Sequence, residues 1–362
     1  MNNIYQNTVD KPFFSIGITT YDRKDLLRQM LLSLLKQDFT DFEIIVGNDF
    51  IAEPLFPEML GIDDNRIIIL NNNQNLGELG NMNSLLRMAK GRYFTWQFDD
   101  DLCAPTFLSE INKALEKYDS PSCVFTSFTY IYGTSTVEFP KIDSKEMLLY
   151  SGRDFLRSYL SGSIRVLGLG GFYNTEYLKS LGGAMQLSEG KMALYSEYLL
   201  IFKAGLLNHV AYLNSQLVAN RVHDNSWSSK STEVEIFKQA GINLIRESIL
   251  IFSTTELKDD FSKNLTSLLK SVLSVVITKS KTAGIKVKKK DISEYISLIE
   301  EVFNSLKEKG LHKSSMKSLK ISINYIPLFY VKAWLKILLS NRYLKFVHKV
   351  VFIISRYTNK SF

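Results

Sequence analysis

The sequence predicts an α/β protein with a mostly parallel central sheet covered by helices on both faces. Two observations carry this. Short β-branched and aromatic runs alternate with amphipathic helical stretches over the first hundred residues. The runs end in small polar or acidic residues, and in such sheets ligands bind beyond the carboxyl ends of the strands. With 362 residues and an apolar content of 45%, the chain can bury one large core or two ordinary ones.

Phe13–Thr20 reads as the first strand, followed by Tyr21-Asp-Arg-Lys-Asp and a helix with Leu26, Leu27, Met30, Leu31, Leu34 and Leu35 at helical spacing. Phe42–Gly47 is the second strand, ending at Asn48-Asp49, and Arg66–Leu70 the third. A glycine-containing loop then opens a helix over Leu76–Lys90. The next apolar run, Tyr93–Phe98, leads straight into Asp99, Asp100 and Asp101, and Pro105 precedes a helix carrying Phe107, Leu108 and Ile111. Three like charges at a strand end repel one another, and a hard cation with oxygen ligands, Mg2+ or Mn2+, holds such groups together. Those ions seldom sit in an all-protein cage, so a substrate diphosphate is expected to complete the shell. Thr19–Asp22, Asp49 and Asp99–Asp101 are expected to converge on one pocket.

Val124–Tyr132 alternates as a half-exposed strand. Leu167-Gly-Leu-Gly-Gly-Phe172 is a glycine-rich turn but not a dinucleotide fingerprint, since Tyr173 stands where the last glycine would be. Cys103 and Cys123 make no disulfide framework and read as small core residues of a reducing compartment. The stretch Met1–Lys11 is polar, without a signal-peptide segment, and no window of 18 uncharged apolar residues occurs, so no spanning helix is expected.

The net charge of +7 hides an asymmetry: residues 263–362 carry 20 Lys+Arg against 5 Asp+Glu, the first 262 carry 24 against 32. From Ser229 onward helix formers and lysine dominate. Two domains are therefore expected, 1–230 and a helical basic region 231–362. Apolar stripes mark helices over 233–278, Lys279–Lys290 reads as a basic linker, and Ser318–Phe362 is aromatic, aliphatic and punctuated by lysine. Basic amphipathic helices rich in Trp, Phe and Leu suit an anionic membrane surface. A helical bundle or a homo-oligomer interface is the alternative.

The order of Ser15-Ile-Gly-Ile-Thr-Thr-Tyr-Asp-Arg23, Glu43-Ile-Ile-Val-Gly-Asn-Asp49, Asn75-Leu-Gly77 with Asn81 and Asn83, and Ala89-Lys-Gly91 before the acidic triplet resembles the family 2 glycosyltransferases, an inverting family with the GT-A fold. The resemblance covers roughly residues 13–230. It implies a nucleotide-sugar donor, a UDP-sugar by default, with Thr19, Tyr21 and Asp49 at the base and ribose and Asn81 beside them. It also implies a metal-binding Asp-X-Asp element. Using Pro105 to set the register makes Asp100 the ligand, with Asp99 near the ribose or a bound water, but Asp99–Asp100 and Asp99-X-Asp101 both stay open. Ser196-Glu197, opening an apolar helix, stands where the family carries an acidic pair, and Glu197 is the implied catalytic base, with Glu189 and Asp224 as fallbacks. Asn220-Arg-Val-His-Asp-Asn-Ser-Trp227 matches an Arg-X-His element: Arg221 would face the diphosphate, and His223 the metal or a phosphate.

The function this implies is metal-dependent sugar transfer to a glycan or lipid-linked acceptor in bacterial surface polysaccharide synthesis, at the cytoplasmic face of the cell membrane. A metal-dependent nucleotidyltransferase, which would release pyrophosphate, is one alternative. A basic nucleic-acid-binding protein is the other; the acidic first 262 residues argue against it, and no nucleic-acid partner is expected.

Overall fold

The computed structural model describes residues 11–133, 137–139, 146–223 and 231–305. Asp224, Trp227 and the apolar-basic stretch 318–362 lie outside the described residues, so the fallback base and the expected membrane-facing helices are not part of this description.

The chain begins with a strand–helix alternation. β1 (Phe14–Thr20), β2 (Phe42–Asn48) and β3 (Ile67–Asn71) alternate with α1 (Lys24–Leu35) and α2 (Pro57–Leu60). α3 (Gly77–Met88), β4 (Tyr93–Phe98), the short β5 (Leu102–Cys103) and α4 (Phe107–Lys117) follow. Next come β6 (Cys123–Tyr132), β7 (Met147–Tyr150), α5 (Gly152–Leu160), β8 (Phe172–Asn174), α6 (Thr175–Ser180), α7 (Ser196–Ala204) and β9 (Val210–Val222). Together the strands form one nine-stranded sheet in the order β3-β2-β1-β4-β8-β6-β9-β5, with β7 on the same edge of β9.

Half of this sheet is parallel. β3, β2, β1 and β4 all run one way, because each is joined to the next through a helix or a long connection. Every residue of β2 is buried, as expected of a strand covered on both faces. The other half is mixed: β8 runs antiparallel between β4 and β6, while β6 and β9 are parallel. The short strands β5, β7 and β8 carry too few residues for a periodic signal, and the sequence reading does not anticipate them. β9 was legible only at its last residues, as the Arg-X-His element.

α1 turns Leu27, Met30, Leu31 and Leu34 onto the sheet, and α4 turns Phe107, Leu108, Ile111, Ala114 and Leu115. These side chains join Phe14, Ile16, Ile18, Ile44 and Val46 in one core. Both cysteines are reduced and buried, Cys103 within that core. A carboxylate sits inside the sheet layer as well. Glu43 Oε1 accepts from Ser15 Oγ at 2.6 Å and from the Lys90 amide at 2.8 Å, and Ser15 Oγ accepts from the Gly91 amide at 2.7 Å. This cluster ties β2, β1 and the entry to β4 together.

By its internal contacts the chain divides into two units, one of residues 1–230 with 239–260 and one of 231–238 with the residues from 261 onward. The expected boundary at 230 thus misses residues 239–260. The cause is α8 (Val234–Phe252), where Asn243 Nδ2 donates to the Leu187 carbonyl at 2.9 Å and Phe252 packs edge-on against Phe202. In the second unit, α9 (Lys258–Thr282) contributes Leu265, Leu269, Val272 and Val276, and α10 (Lys289–Ser305) contributes Ile292, Tyr295, Ile296 and Ile299. The expected basic linker is shorter than its sequence suggests, because α9 continues through Lys279. Lys279 is buried with its ammonium 4.9 Å from the Phe237 ring, so it is not offered to an anionic surface, whereas Lys286, Lys288 and Lys290 are exposed. Among the described residues no helix is long and apolar enough to cross a membrane.

Replacing Glu43 by alanine leaves the Ser15 hydroxyl and the Lys90 amide without their acceptor. Glu43→Ala is expected to lower the unfolding free energy by about 2 kcal/mol, the scale of hydrogen bonds to a charged group. Denaturant unfolding measures it, and an unchanged midpoint would show that the cluster is dispensable.

Candidate active site

The parallel strands place their carboxyl ends side by side. β1 pairs with β2 through Thr20 and Asn48 and with β4 through Thr19 and Phe98. Asp49 and the acidic triplet therefore follow directly from neighbouring strand ends. The Asp49 amide donates to the Thr20 carbonyl at 3.1 Å, closing the first gap. Across the second, Thr20 Oγ1 donates to Asp99 Oδ2 at 2.8 Å.

The three aspartates have different surroundings. Arg23, the residue that opens α1, bridges two of them: its Nη1 lies 3.2 Å from Asp99 Oδ1 and 3.3 Å from Asp100 Oδ2. His223 Nε2 approaches the same Asp100 oxygen at 2.9 Å. Asp101, only 1% exposed, points into the sheet instead, where Oδ1 accepts from the Arg221 amide at 2.8 Å and Oδ2 from Asn220 Nδ2 at 3.3 Å. Burial, then the neighbouring Asp100 charge, pushes Asp99 up to about 6 and Asp101 well above the usual carboxylate range.

Several expected ligand contacts are taken up by the chain itself. Arg221 directs Nε to the Asp100 carbonyl, Nη1 to the Gly133 carbonyl and Nη2 to Gln29 Oε1. Its guanidinium fork clamps β9 to the acidic turn, contrary to the expectation that it faces a diphosphate. Asn81 is 1% exposed; its Nδ2 donates to the Gly47 carbonyl at 2.7 Å and its Oδ1 accepts from Asn72. It welds α3 to β2 and is not poised for a donor. Asp101 is likewise held by β9, which counts against it as a metal ligand. Asp49 accepts from the Leu76 and Gly77 amides at 2.8 and 2.7 Å and from Asn72 Nδ2 at 3.1 Å, so it anchors the start of α3. Thr19 is partly buried, and Tyr21 is 51% exposed with its ring edge-on to Phe50, 5.2 Å between centroids. Thr20, Asp22, Arg23, Lys24, Asn48, Phe50 and Glu53 line a cleft there.

Glu197 lies in the first turn of α7, one residue after Ser196. Ser196 does not cap the helix. The capping position belongs to Tyr195, whose φ of +59° puts a bulky residue in the left-handed region, and Ser196 Oγ donates to the Met185 carbonyl. Burial raises the Glu197 pKa, a hydrogen bond from the Gly168 backbone opposes the rise, and the charge of Glu78 adds to it. Gly168 answers for the glycine-rich turn: a Cβ there would stand 2.4 Å from the Glu197 carbonyl oxygen, so only glycine allows the two backbones to meet. Glu189, the described fallback, is exposed in a loop.

Glu78, on the first turn of α3, was not singled out from the sequence, since it reads as a helix-start acid. Its pKa is raised, chiefly by burial; it feels Asp100 as a like charge and Arg23 as an opposite one, and it also acts on Glu197. It thus places the strand-end carboxylates and Glu197 in one electrostatic neighbourhood. Thr20 and Arg23 were missed as site residues in the same way, although both lie within a stretch quoted for the family. Among the described residues no group of three or more His, Cys, Asp or Glu side chains forms a ready-made metal cage. The donor set of Asp100 and His223 nevertheless fits Mn2+ or Mg2+ with outside ligands completing the shell, and the Arg23 guanidinium between Asp99 and Asp100 shows that the spot accepts a cation.

A Rossmann-like sheet with an acidic turn beyond its central strand is the frame of a GT-A domain. Residues 15–177 match Glycosyl transferase family 2. It is 32% identical over 166 residues to the GalNAc(5)-diNAcBac-PP-undecaprenol β-1,3-glucosyltransferase of Campylobacter jejuni, covering 42% of this chain and 50% of that protein. It is 35% identical over 95 residues to the Escherichia coli UDP-Glc:α-D-GlcNAc-diphosphoundecaprenol β-1,3-glucosyltransferase WfaP, covering 26% of this chain and 38% of that one. The chain thus spans half or less of the length of these curated relatives. Among solved structures, Staphylococcus aureus TarS 1-349 superposes with a TM-score of 0.54 at 16% identity, over 86% of this chain and 91% of that one, which is a likeness of fold.

An aspartate whose folded pKa exceeds its unfolded value contributes most to stability below the ordinary value of 3.8, and that contribution is lost as pH rises towards about 6. Asp99→Asn keeps an acceptor for Thr20 and removes the charge. The variant is expected to lose less unfolding free energy than the wild type across that window. Denaturant unfolding at its two ends checks this; equal losses would remove Asp99 from the account.

Proposed function

We propose that the protein is a metal-dependent inverting glycosyltransferase that moves a sugar from a UDP-sugar to a lipid-linked saccharide in bacterial surface polysaccharide synthesis. The observation that carries this reading is a cation-accepting strand end, Asp99 and Asp100 with Arg23 and His223, to whose neighbouring Asp49 the start of α3 is bonded, while Glu78 of α3 is bonded to Ala193 in the arm that leads to Glu197. The two glucosyltransferase relatives act, by their names, on diphosphoundecaprenol-linked saccharides, and one uses UDP-Glc; this supports the acceptor class and the nucleotide.

In this reading the nucleoside lies over the ends of β1 and β2, beside Thr19, with the exposed ring of Tyr21, which packs edge-on to Phe50, against the base. Asp100 and His223 would hold the Mn2+ or Mg2+ ion. When bound, that ion neutralises charge on the departing diphosphate. Asp99, steadied by Thr20, faces the ribose side, and Asp49 keeps α3 against it. Glu197 accepts the proton of the acceptor hydroxyl, and the freed oxygen attacks the anomeric carbon from the side opposite the diphosphate. The bond from that carbon to the diphosphate oxygen breaks, and its electron pair leaves with UDP. A carboxylate with a raised pKa is the stronger base for this step. The protein works at the cytoplasmic face of the membrane, where a lipid-linked acceptor is presented; exposed Lys286, Lys288 and Lys290 suit anionic lipid there.

Asp100→Ala and Glu197→Gln test the two ends separately. Each is expected to lower sugar transfer by about 10²-fold or more. Mn2+ with UDP is expected to raise the melting midpoint of the wild type more than UDP alone, and Asp100→Ala should abolish that difference. Full transfer by both variants would refute the site.

A further inference from the structure

The start of α3 is held from two sides. Asp49 takes the amides of Leu76 and Gly77. One residue on, Glu78 reaches the opposite way, and its Oε2 accepts from the Ala193 amide at 2.9 Å. The Ala193 carbonyl accepts from the Ser196 amide at 3.2 Å where α7 opens, and Glu197 is the next residue. Two further links fasten the same arm: the Leu79 amide donates to the Lys191 carbonyl at 3.0 Å, and Lys191 Nζ donates to the Asn75 carbonyl at 2.7 Å. The fit is close, since a Cβ on Gly77, whose φ is +72°, would stand 2.2 Å from Lys191 Cβ.

Of these links, that of Glu78 involves the one side chain whose charge is felt by Glu197 and which itself feels Asp100 as a like charge. An acid at a helix start needs no further role, because it complements the helix dipole. A dipole role, however, requires the charge and not the bond to Ala193. Here the bond joins the only loop that leads into α7 to the helix that Asp49 fixes at the end of β2.

We propose that Glu78 is a positioning residue: its hydrogen bond to Ala193 sets the spacing between the strand-end carboxylates and the arm that carries Glu197. The inference rests on the reading of Glu197 as the base. Displacing a reacting group by about 1 Å costs on the order of 10²-fold in rate, so loosening the one of the three links that lies nearest Glu197 in the chain is enough to matter. The chain of contacts runs from Asp49 through α3 and Glu78 to Ala193, Ser196 and Glu197, and it links nucleotide side to base side without involving the substrate.

Glu78→Gln keeps an oxygen acceptor for Ala193 and removes the charge; Glu78→Ala removes both. Hydrogen exchange on the full chain should show the amides of 193–198 exchanging about 10-fold faster in Glu78→Ala, with those of Leu76 and Gly77 still protected by Asp49, and within about 3-fold of wild type in Glu78→Gln. Where the wild type transfers glucose from UDP-glucose, Glu78→Ala should lower kcat by about 10- to 100-fold with the donor KM held, and Glu78→Gln should restore most of it. Unchanged exchange in Glu78→Ala overturns the proposal, as does a glutamine variant as damaged as the alanine one. A fully active Glu197→Gln removes the base reading while leaving the tether, so the two failures are told apart.

Discussion

Carboxylates brought close together at poorly solvated strand and helix ends are the constraint that shapes this site. Asp99, Asp101, Glu78 and Glu197 all have raised pKa values, and in each case burial is the leading cause. Ionised carboxylates are tolerated inside a protein only with close donors or cations. The fold supplies these from several directions: Arg23 from the start of α1, Thr20 from the end of β1, Asn220 and the Arg221 amide from β9, and the Ala193 amide from the arm before α7. Around Asp100 the carboxylates of Asp99 and Asp101 crowd a third one, and a divalent ion would offset that negative charge. Charge perturbed in this way by burial and by specific partners is the electrostatic mark of a functional cleft.

The architecture of the mixed half of the sheet follows from the same need. β9 runs parallel to β6 yet ends beside the acidic turn, so Asn220, Arg221 and His223 arrive from a segment about 120 residues further along the chain. Arg221 closes the junction by donating to the carbonyls of Asp100 and Gly133. A guanidinium suits this place because its donors are fixed in a plane and can reach two carbonyls and an amide oxygen at once. The residue that looks from the sequence like a phosphate ligand is thus the clamp that holds the real candidates, Asp100 and His223, at one edge.

The parallel half was legible because its strands and helices are long enough to show their periods. Tyr93–Phe98 matches β4 residue for residue, and the strand-end placement of Asp49 and Asp99–Asp101 follows from strand order alone. β5, with two residues, and β8, with three, exist only through their partners and leave no pattern to read. Roles were harder than places. Asn81 and Arg221 are polar residues in matched motifs, and nothing in their spacing says that Gly47, Gly133 and Gln29 absorb their hydrogen bonds. Glu78 went unnoticed for the converse reason: a helix-start glutamate is common, and only the packing of Ala193 against it makes it distinctive.

The division of labour within Asp99–Asp101 has a local cause. Along an extended strand, alternate side chains share a face, so Asp99 and Asp101 would point the same way and Asp100 the other. Here β4 ends at Phe98 and the chain turns at once, with the Asp101 amide donating to the Phe98 carbonyl at 3.2 Å. The turn breaks the alternation: Asp99 and Asp100 converge on Arg23, while Asp101 swings beneath to β9. An unbroken run of three identical residues cannot announce where such a turn falls, which is why spacing left two ligand pairs open. With the turn placed, Asp101 serves the sheet, and the first two aspartates share the Arg23 guanidinium, with His223 beside the second.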